Sequence, residues 1–296
     1  MADETLISWA DATFNPWIGC TRVSPACDGC YAAHLMETRM GRVQWGGPGV
    51  GAGTRARTSP ANWRKPLAWD KKAAAEGKHP FVFCSSLADV FDNEVPKEWR
   101  AELFDLIERT PNLIWLLLTK RPQNIVKLYE ASFDVLPWPK NAAIGTTIED
   151  QKRADFNVPA LLVAKTELKP AFAFLSCEPL LGPIKVPMID QIDWVITGGE
   201  TDQGAHKARP THPVWFTMLR DQCSEHGIPF HHKQNGEWRA APDRAHFKEL
   251  IDEPWTRVAS LMDGVRPAFV VKEGKKHTGR KINGVTHDAF PAMRVS

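Results

Sequence analysis

Residues 113–121 read LIWLLLTKR, an apolar run that stops at Thr119, Lys120 and Arg121. The run is strand-sized, and the same pattern recurs along the chain. Phe81-Val82-Phe83-Cys84 ends in Ser85, Ser86 and Asp89, and Ala142-Ala143-Ile144 ends in Thr146, Thr147 and Glu149. Ala171 to Leu175 ends in Ser176, Cys177 and Glu178; Trp194-Val195-Ile196 ends in Thr197, Gly198, Gly199 and Glu200. Ile228-Pro229-Phe230 ends in His231, His232, Lys233 and Gln234. A strand near Phe14 to Ile18 brings the number to about seven.

Helical patterns separate these runs. From Pro96 to Arg109, Trp99, Leu103, Leu106 and Ile107 fall on one stripe, and Pro96 suits a first helical position. From Pro213 towards Gly227, Trp215, Met218, Leu219 and Cys223 form the stripe, and Gly227 suits the left-handed residue that ends a helix. Strands alternating with helices imply βαβ units and a parallel sheet, because parallel strands need a crossover. No Gly-x-Gly-x-x-Gly turn follows an early strand, which disfavours a dinucleotide-binding sheet. The sequence therefore predicts an α/β fold: a partial (β/α) TIM-like barrel of six or seven parallel strands over residues 1–240. After Trp238 the segments are shorter and more charged, and Asn283-Gly284 reads as a hairpin turn. Residues 241–296 are expected to form a small appendage packed on the barrel.

Composition narrows the class. The 296 residues carry 37 Lys+Arg against 35 Asp+Glu, a formal charge of +2, with 43% hydrophobic residues, 20 Gly and 23 Pro. That is a globular composition and excludes wholesale disorder. The acidic N-terminus MADETLISWADATFNPW has neither the charge nor the apolar core of a targeting segment, and no run approaches the roughly 18–20 residues of a membrane span. The expectation is a cytoplasmic protein with no membrane contact.

Three of the six cysteines are clustered: Cys20, Cys27 and Cys30 in GCTRVSPACDGCYA, directly after the first strand. In a reducing compartment such clusters are more often ligands or catalysts than disulfides. Three thiolates suit a [4Fe–4S] cluster with one open iron; structural zinc needs a fourth ligand, for which His34 is the candidate. The position at the mouth of a barrel-sized domain, where functional groups gather at the carboxyl ends of strands, favours the cluster.

The chain resembles a phage-associated family of three-cysteine, radical-S-adenosylmethionine-like proteins of unknown function, and more distantly spore photoproduct lyase and the radical S-adenosylmethionine superfamily. The resemblance rests on FNPWIGCTRVSPACDGCYA, NWRKPLAWD, FCSSLADVFD, LLTKRP, SCEPLLGPI, WVITGGE, ARPTHPVW and PFHHKQNGEW, spanning about residues 8 to 240. It implies a [4Fe–4S] cluster on Cys20, Cys27 and Cys30, S-adenosyl-L-methionine on the fourth iron, and an electron donor such as flavodoxin or ferredoxin. Reductive cleavage would yield a 5′-deoxyadenosyl radical. Two features depart from the superfamily pattern: the first cysteine gap is six residues, and Gly198-Gly199-Glu200 ends a late strand instead of the second.

A pocket for S-adenosylmethionine needs acceptors, donors and an apolar wall at the strand ends. Ser85, Ser86 and Asp89 are the first candidates, followed by Glu149 and Glu178, with Lys120 as a carboxylate partner and Gly198, Gly199 and Glu200 as further contacts. Cys177 is the candidate catalytic thiol, returning a hydrogen atom to a radical as an analogous cysteine does in spore photoproduct lyase; a half-buried inert thiol is the plainer reading. The stretch Thr38 to Trp69 has no acidic residue but carries Arg39, Arg42, Arg55, Arg57, Arg64 and Lys65 among Trp45, Trp63 and Trp69. Guanidinium groups for phosphates and indoles for bases suit DNA or RNA, and Arg39, Arg42, Arg55, Arg57, Trp63 and Arg64 are the expected contacts. Two functions are thus expected to compete: a radical S-adenosylmethionine enzyme that repairs or modifies nucleic acid, and a non-enzymatic, zinc-stabilised nucleic-acid-binding protein.

Overall fold

The computed structural model describes residues 5–132, 137–241 and 255–292. Seven parallel strands lie in one sheet in chain order: β1 (Ala12–Phe14), β2 (Phe81–Cys84), β3 (Ile114–Thr119), β4 (Ala142–Thr147), β5 (Ala173–Cys177), β6 (Trp194–Gly198) and β7 (Phe230–Gln234). A doubly wound sheet reverses its strand order and so exposes a switch point. Here the order never reverses, so successive crossovers wind the same way and the sheet is a half-barrel, as expected. The crossover helices include α1 (Lys65–Glu76), α2 (Lys97–Glu108), α3 (Ile125–Glu130), α4 (Gln151–Leu168) and α5 (Pro213–Glu225).

Period-two alternation sorts each strand between two cores. Val82, Cys84, Trp115, Leu117, Ile144, Leu175 and Val195 face outward into the cluster that includes Leu103 and Ile107 of α2, Val158 and Leu161 of α4, and Trp215 and Leu219 of α5. Phe81, Phe83, Ile114, Leu116, Phe174, Trp194 and Ile196 face inward, where Trp9 joins them. Because both faces are buried, the strands read as unbroken apolar runs in the sequence. The interior beneath the strand ends is thus filled by side chains. Gly145 leaves its inward position to the ring of Phe174, which occupies the space a Cβ would need.

Strand ends differ from the sequence expectation in a consistent way. β3 to β7 run on through the first polar residues, since a buried threonine or cysteine donates to the ladder as well as a leucine does. β1 stops at Phe14, short of the expected Ile18. The side chain of Asn15 accepts from the Leu87 amide at 2.7 Å, Pro16 has no amide to give, and Trp17–Ile18 leaves the sheet to pair antiparallel with Ala56–Arg57.

Beyond β7, β8 (Trp238–Ala240), β9 (Trp255–Val258) and β10 (Ala268–Lys272) form an antiparallel sheet in the order β8-β10-β9. The expected hairpin joins β11 (Lys281–Ile282) to β12 (Val285–Thr286), with Asn283 and Gly284 at φ 51° and 82°, the pair of positive values a two-residue turn demands. Residues 242–254 and 293–296 of the expected appendage lie outside the described residues. Among the described residues no helix is long and apolar enough to cross a membrane.

Candidate functional site

The cysteine segment follows β1 and carries its own small core. Ile18, Ala32, Ala33, Met36, Val43 and Trp45 are buried together, with Cys20 and Cys30 packed against them. Cys20, Cys27 and Cys30 all line one cavity of about 120 Å³ at the carboxyl ends of the strands, together with Ser85, Ser86, Asp89, Lys120, Arg121 and Thr147. A second cavity of about 240 Å³ shares Cys30, Phe83, Ser86, Leu118, Lys120 and Thr147 with the first, so the two are adjacent. Its floor is Trp9, Phe83 and Leu118, and its wall holds Tyr31, Ser176, Glu178, Lys233 and Gln234. A larger cavity of about 530 Å³ opens at the amino ends of β1 to β3, beside Asp11, Lys72 and Leu113, and holds no cysteine. Volume does not decide the site; the convergence of polar groups does.

Several of those groups lack partners. Ser85 Oγ, Glu178 Oε1, Gln234 Oε1 and the indole nitrogen of Trp9 are buried without a hydrogen bond. Lys233 Nζ lies 3.4 Å from Glu178 Oε1, an ion pair without hydrogen-bonding alignment. Buried polar atoms are rarely left orphaned, so such a concentration marks a surface shaped for a ligand with its own donors and acceptors. Burial works against the Lys120 ammonium, but Cys27, Cys30, Glu149 and Asp89 outweigh it and raise its pKa. Burial pushes the Cys20 thiol up to about 12, reinforced by Asp89, and also raises Cys30.

Three of the carboxylates expected to meet a cofactor, Asp89, Glu149 and Glu200, make contacts within the protein. Asp89 accepts from Thr119 Oγ1 at 2.7 Å, the Lys120 and Phe91 amides, and Arg121 Nη1 at 2.9 Å. That leaves it no capacity for a ligand and corrects the expectation. Arg121, missed from sequence, passes this charge onward: its Nη1 lies 3.5 Å from Cys20 Sγ and its Nη2 donates to the Thr21 carbonyl at 2.6 Å. Glu149 Oε1 accepts from the Ala26 amide at 3.3 Å, inside the cysteine segment. Glu200, 5% exposed, lines the second cavity while its carboxylate is engaged by Arg209 and His206. Burial opposes its charge, but the Arg209 hydrogen bonds win and hold its pKa below the usual carboxylate range.

Gly199 lines the second cavity at a point where a Cβ would strike the Asn235 carbonyl, and Gly198 makes room for Glu178. Cys177 is corrected more sharply. Ser176 and Glu178 reach the second cavity, so alternation turns Cys177 outward. It is 0% exposed within the outer core beside Cys223, and burial raises its pKa well above the ordinary thiol value.

The arginine-rich stretch divides. Arg55 is paired with Asp92 in the interior, while Arg57 pairs with Glu102 and lies 4.4 Å above the ring of Trp63, whose nitrogen donates to the Pro16 carbonyl. Arg39, Arg42 and Arg64 are exposed.

The donor set bears on which metal group would fit. A single zinc ion with bonds of roughly 2.3 Å requires its sulfurs within about 4 Å of one another. Among the described residues no three His, Cys, Asp or Glu side chains gather to hold one ion. His34, the expected fourth zinc ligand, packs instead on Gly204, where an added Cβ would stand 2.5 Å from its ring. A four-iron cluster places each thiolate on a separate iron and so takes three cysteines spread around one cavity.

A family model described as "Protein of unknown function (DUF5131)" matches residues 4–291. No curated protein matches. Among solved structures, a mutant spore photoproduct lyase with bound AdoMet and dinucleoside spore photoproduct is 9% identical, covering 92% of this chain and 72% of that chain at a TM-score of 0.45. The same enzyme complexed with dinucleoside spore photoproduct is 9% identical over 92% and 72%, at 0.43.

Proposed function

The chain belongs to that family, whose description names no chemistry, and from the geometry of its own site we propose that it is a radical S-adenosylmethionine enzyme acting on nucleic acid. One observation carries the reading. Three cysteines line a cavity that shares lining residues with a second one, lined by orphaned polar atoms and aromatic rings, at the carboxyl ends of a parallel half-barrel.

In this reading Cys20, Cys27 and Cys30 hold a [4Fe–4S] cluster, which supplies the electron that cleaves bound S-adenosylmethionine. The chain's own residues do the rest. Glu178 and Gln234 offer unsatisfied acceptors for the amino group and hydroxyls of the cosubstrate, and Ser85 offers a hydroxyl. Lys120, facing both cavities, presents a cation to a carboxylate. Trp9, Phe83 and Leu118 exclude water from the floor. Arg121 and Glu149 fix the cysteine segment on the ends of β3 and β4. Arg39, Arg42 and Arg64 are the cations left for a phosphate backbone, a smaller set than sequence suggests because Arg55 and Arg57 are internally paired.

The test is anaerobic incubation of the reconstituted protein with dithionite and S-adenosylmethionine. Formation of 5′-deoxyadenosine is expected; its absence in protein with a full iron complement would overturn the reading.

A further inference from the structure

We infer that Arg209 and Glu200 form a latch that holds the cysteine segment shut against the loop after β6, which makes them positioning residues for the metal-binding thiols. The inference rests on the proposed role of the three cysteines, but the latch itself is read from contacts between two distant parts of the chain.

Glu200 is the fixed half. Its carbonyl accepts from the Glu237 amide at 3.0 Å, tying it to the chain beyond β7. Arg209 is the reaching half. Its amide and Nε donate to Glu200 Oε2 at 2.7 and 2.8 Å, and Nη2 donates to Oε1 at 2.5 Å. A bidentate grip of this kind fixes the guanidinium plane as well as its position. The outer edge of that plane then meets the cysteine segment: Nη2 donates to the Pro25 carbonyl at 3.0 Å and Nη1 to Asp28 Oδ2 at 3.3 Å. Pro25 and Asp28 bracket Cys27, so one side chain holds the backbone before a proposed ligand and the carboxylate of the residue after it.

Two glycines show how closely the surfaces fit. A Cβ on Gly29 would stand 2.7 Å from His206 Nε2 and 2.8 Å from Glu200 Oε1. On the opposite side Gly204, at φ +58°, admits the His34 ring. Each surface therefore offers a glycine to a side chain of the other, at Gly29 and five residues later at His34. The Gly-Gly-Glu element acts here through its glutamate as an anchor for the cysteine segment, at the edge of the second cavity that Gly199 and Glu200 help to line.

The latch can be opened from either side. Glu200→Gln with Arg209→Gln removes both charges together, and Gly29→Ala inserts a methyl group while leaving both latch residues in place. Iodoacetamide labelling of the metal-free protein, mapped by mass spectrometry, reads the outcome. Both variants are expected to label Cys27 and Cys30 about tenfold faster than the wild type, as a local opening does, while Cys84, Cys177 and Cys223 stay protected. Iron retained after reconstitution should fall in parallel. Arg239→Gln, which breaks a comparable ion pair with Glu273 in the C-terminal sheet, should leave Cys27 and Cys30 at the wild-type rate. Wild-type labelling of Cys27 and Cys30 in both variants would overturn the latch, and so would uniform labelling of all six cysteines, which would show general unfolding. Because labelling needs no metal, a wild-type chain that takes up no iron would refute the proposed function and leave this result standing.

Discussion

The carboxylate of Glu178 lies across Gly198, so that a Cβ at residue 198 would stand 2.5 Å from Oε1. Residue 198 closes β6 inside the half-barrel, and its missing side chain lets Glu178 turn into the second cavity beside Lys233. Gly198→Ala is therefore expected to displace the carboxylate without disturbing the cysteines. Equilibrium dialysis of reconstituted protein should show S-adenosylmethionine bound about tenfold more weakly, a change of ~1.4 kcal/mol, with iron content unchanged. Unaltered affinity would remove Glu178 from the binding surface.

Cys177 gives the opposite expectation. Its thiol is sealed in the outer core, so Cys177→Ala should leave iron content and 5′-deoxyadenosine formation at wild-type levels. It should cost about 1–2 kcal/mol of stability in urea unfolding, the ordinary cost of deleting a buried atom. Loss of product formation in a stably folded variant would return the thiol to the mechanism.

Much of the fold is legible because its regularities are local. Each apolar run, its polar stop and the following helical stripe can be read within about 30 residues, as from Phe81 to Arg109. The cysteine segment and the strand-end positions of Ser85, Lys120 and Glu178 are legible for the same reason. Facing is harder, because a strand buried on both sides hides its parity. Ser176 and Glu178, two apart, contain the signal that Cys177 points the other way. Long-range partners leave no such signal. Arg209 meets Pro25 across 184 residues, and Arg121 meets Cys20 across 101, so neither tie to the cysteine segment is visible in the sequence.

Acid should weaken the fold through β7. His232 is fully buried, with Nδ1 2.9 Å from Thr197 Oγ1 and Nε2 3.0 Å from Asn235 Oδ1, a pairing that suits a neutral ring donating to Asn235 and accepting from Thr197. Burial lowers its pKa to about 4, with the charges of His287, Arg280 and His231 adding to the effect and the Asn235 hydrogen bond opposing it. The unfolded ring takes up its proton near pH 6.5, so the unfolded state binds more protons between that value and 4. Stability is complete above about pH 6.5 and declines as pH falls towards 4, by at most ~3 kcal/mol from this residue. Urea titrations at pH 7.0, 5.5 and 4.5 should show the fall, and His232→Gln should make it shallower, with the remainder coming from His231, which burial also lowers to about 4. An equal slope in the variant would assign the acid lability elsewhere.

The narrowed set of free arginines can be tested by salt dependence. Fluorescence anisotropy with a single-stranded oligonucleotide should show weaker binding by Arg39→Glu with Arg42→Glu, and a shallower dependence of affinity on salt, since fewer counterions are released. Arg57→Gln, already paired with Glu102, should change neither. Unchanged binding and slope in the double variant would move the nucleic-acid surface away from this stretch.

The central claim is that Cys20, Cys27 and Cys30 surround one iron–sulfur cluster, and counting metal and sulfide tests it most directly. Anaerobically purified wild-type protein should be brown and contain roughly four irons and four acid-labile sulfides per chain, and Cys27→Ala should be colourless with a preserved fold. A colourless wild type holding a single zinc ion, or a Cys27→Ala variant that keeps its full iron and colour, would contradict it.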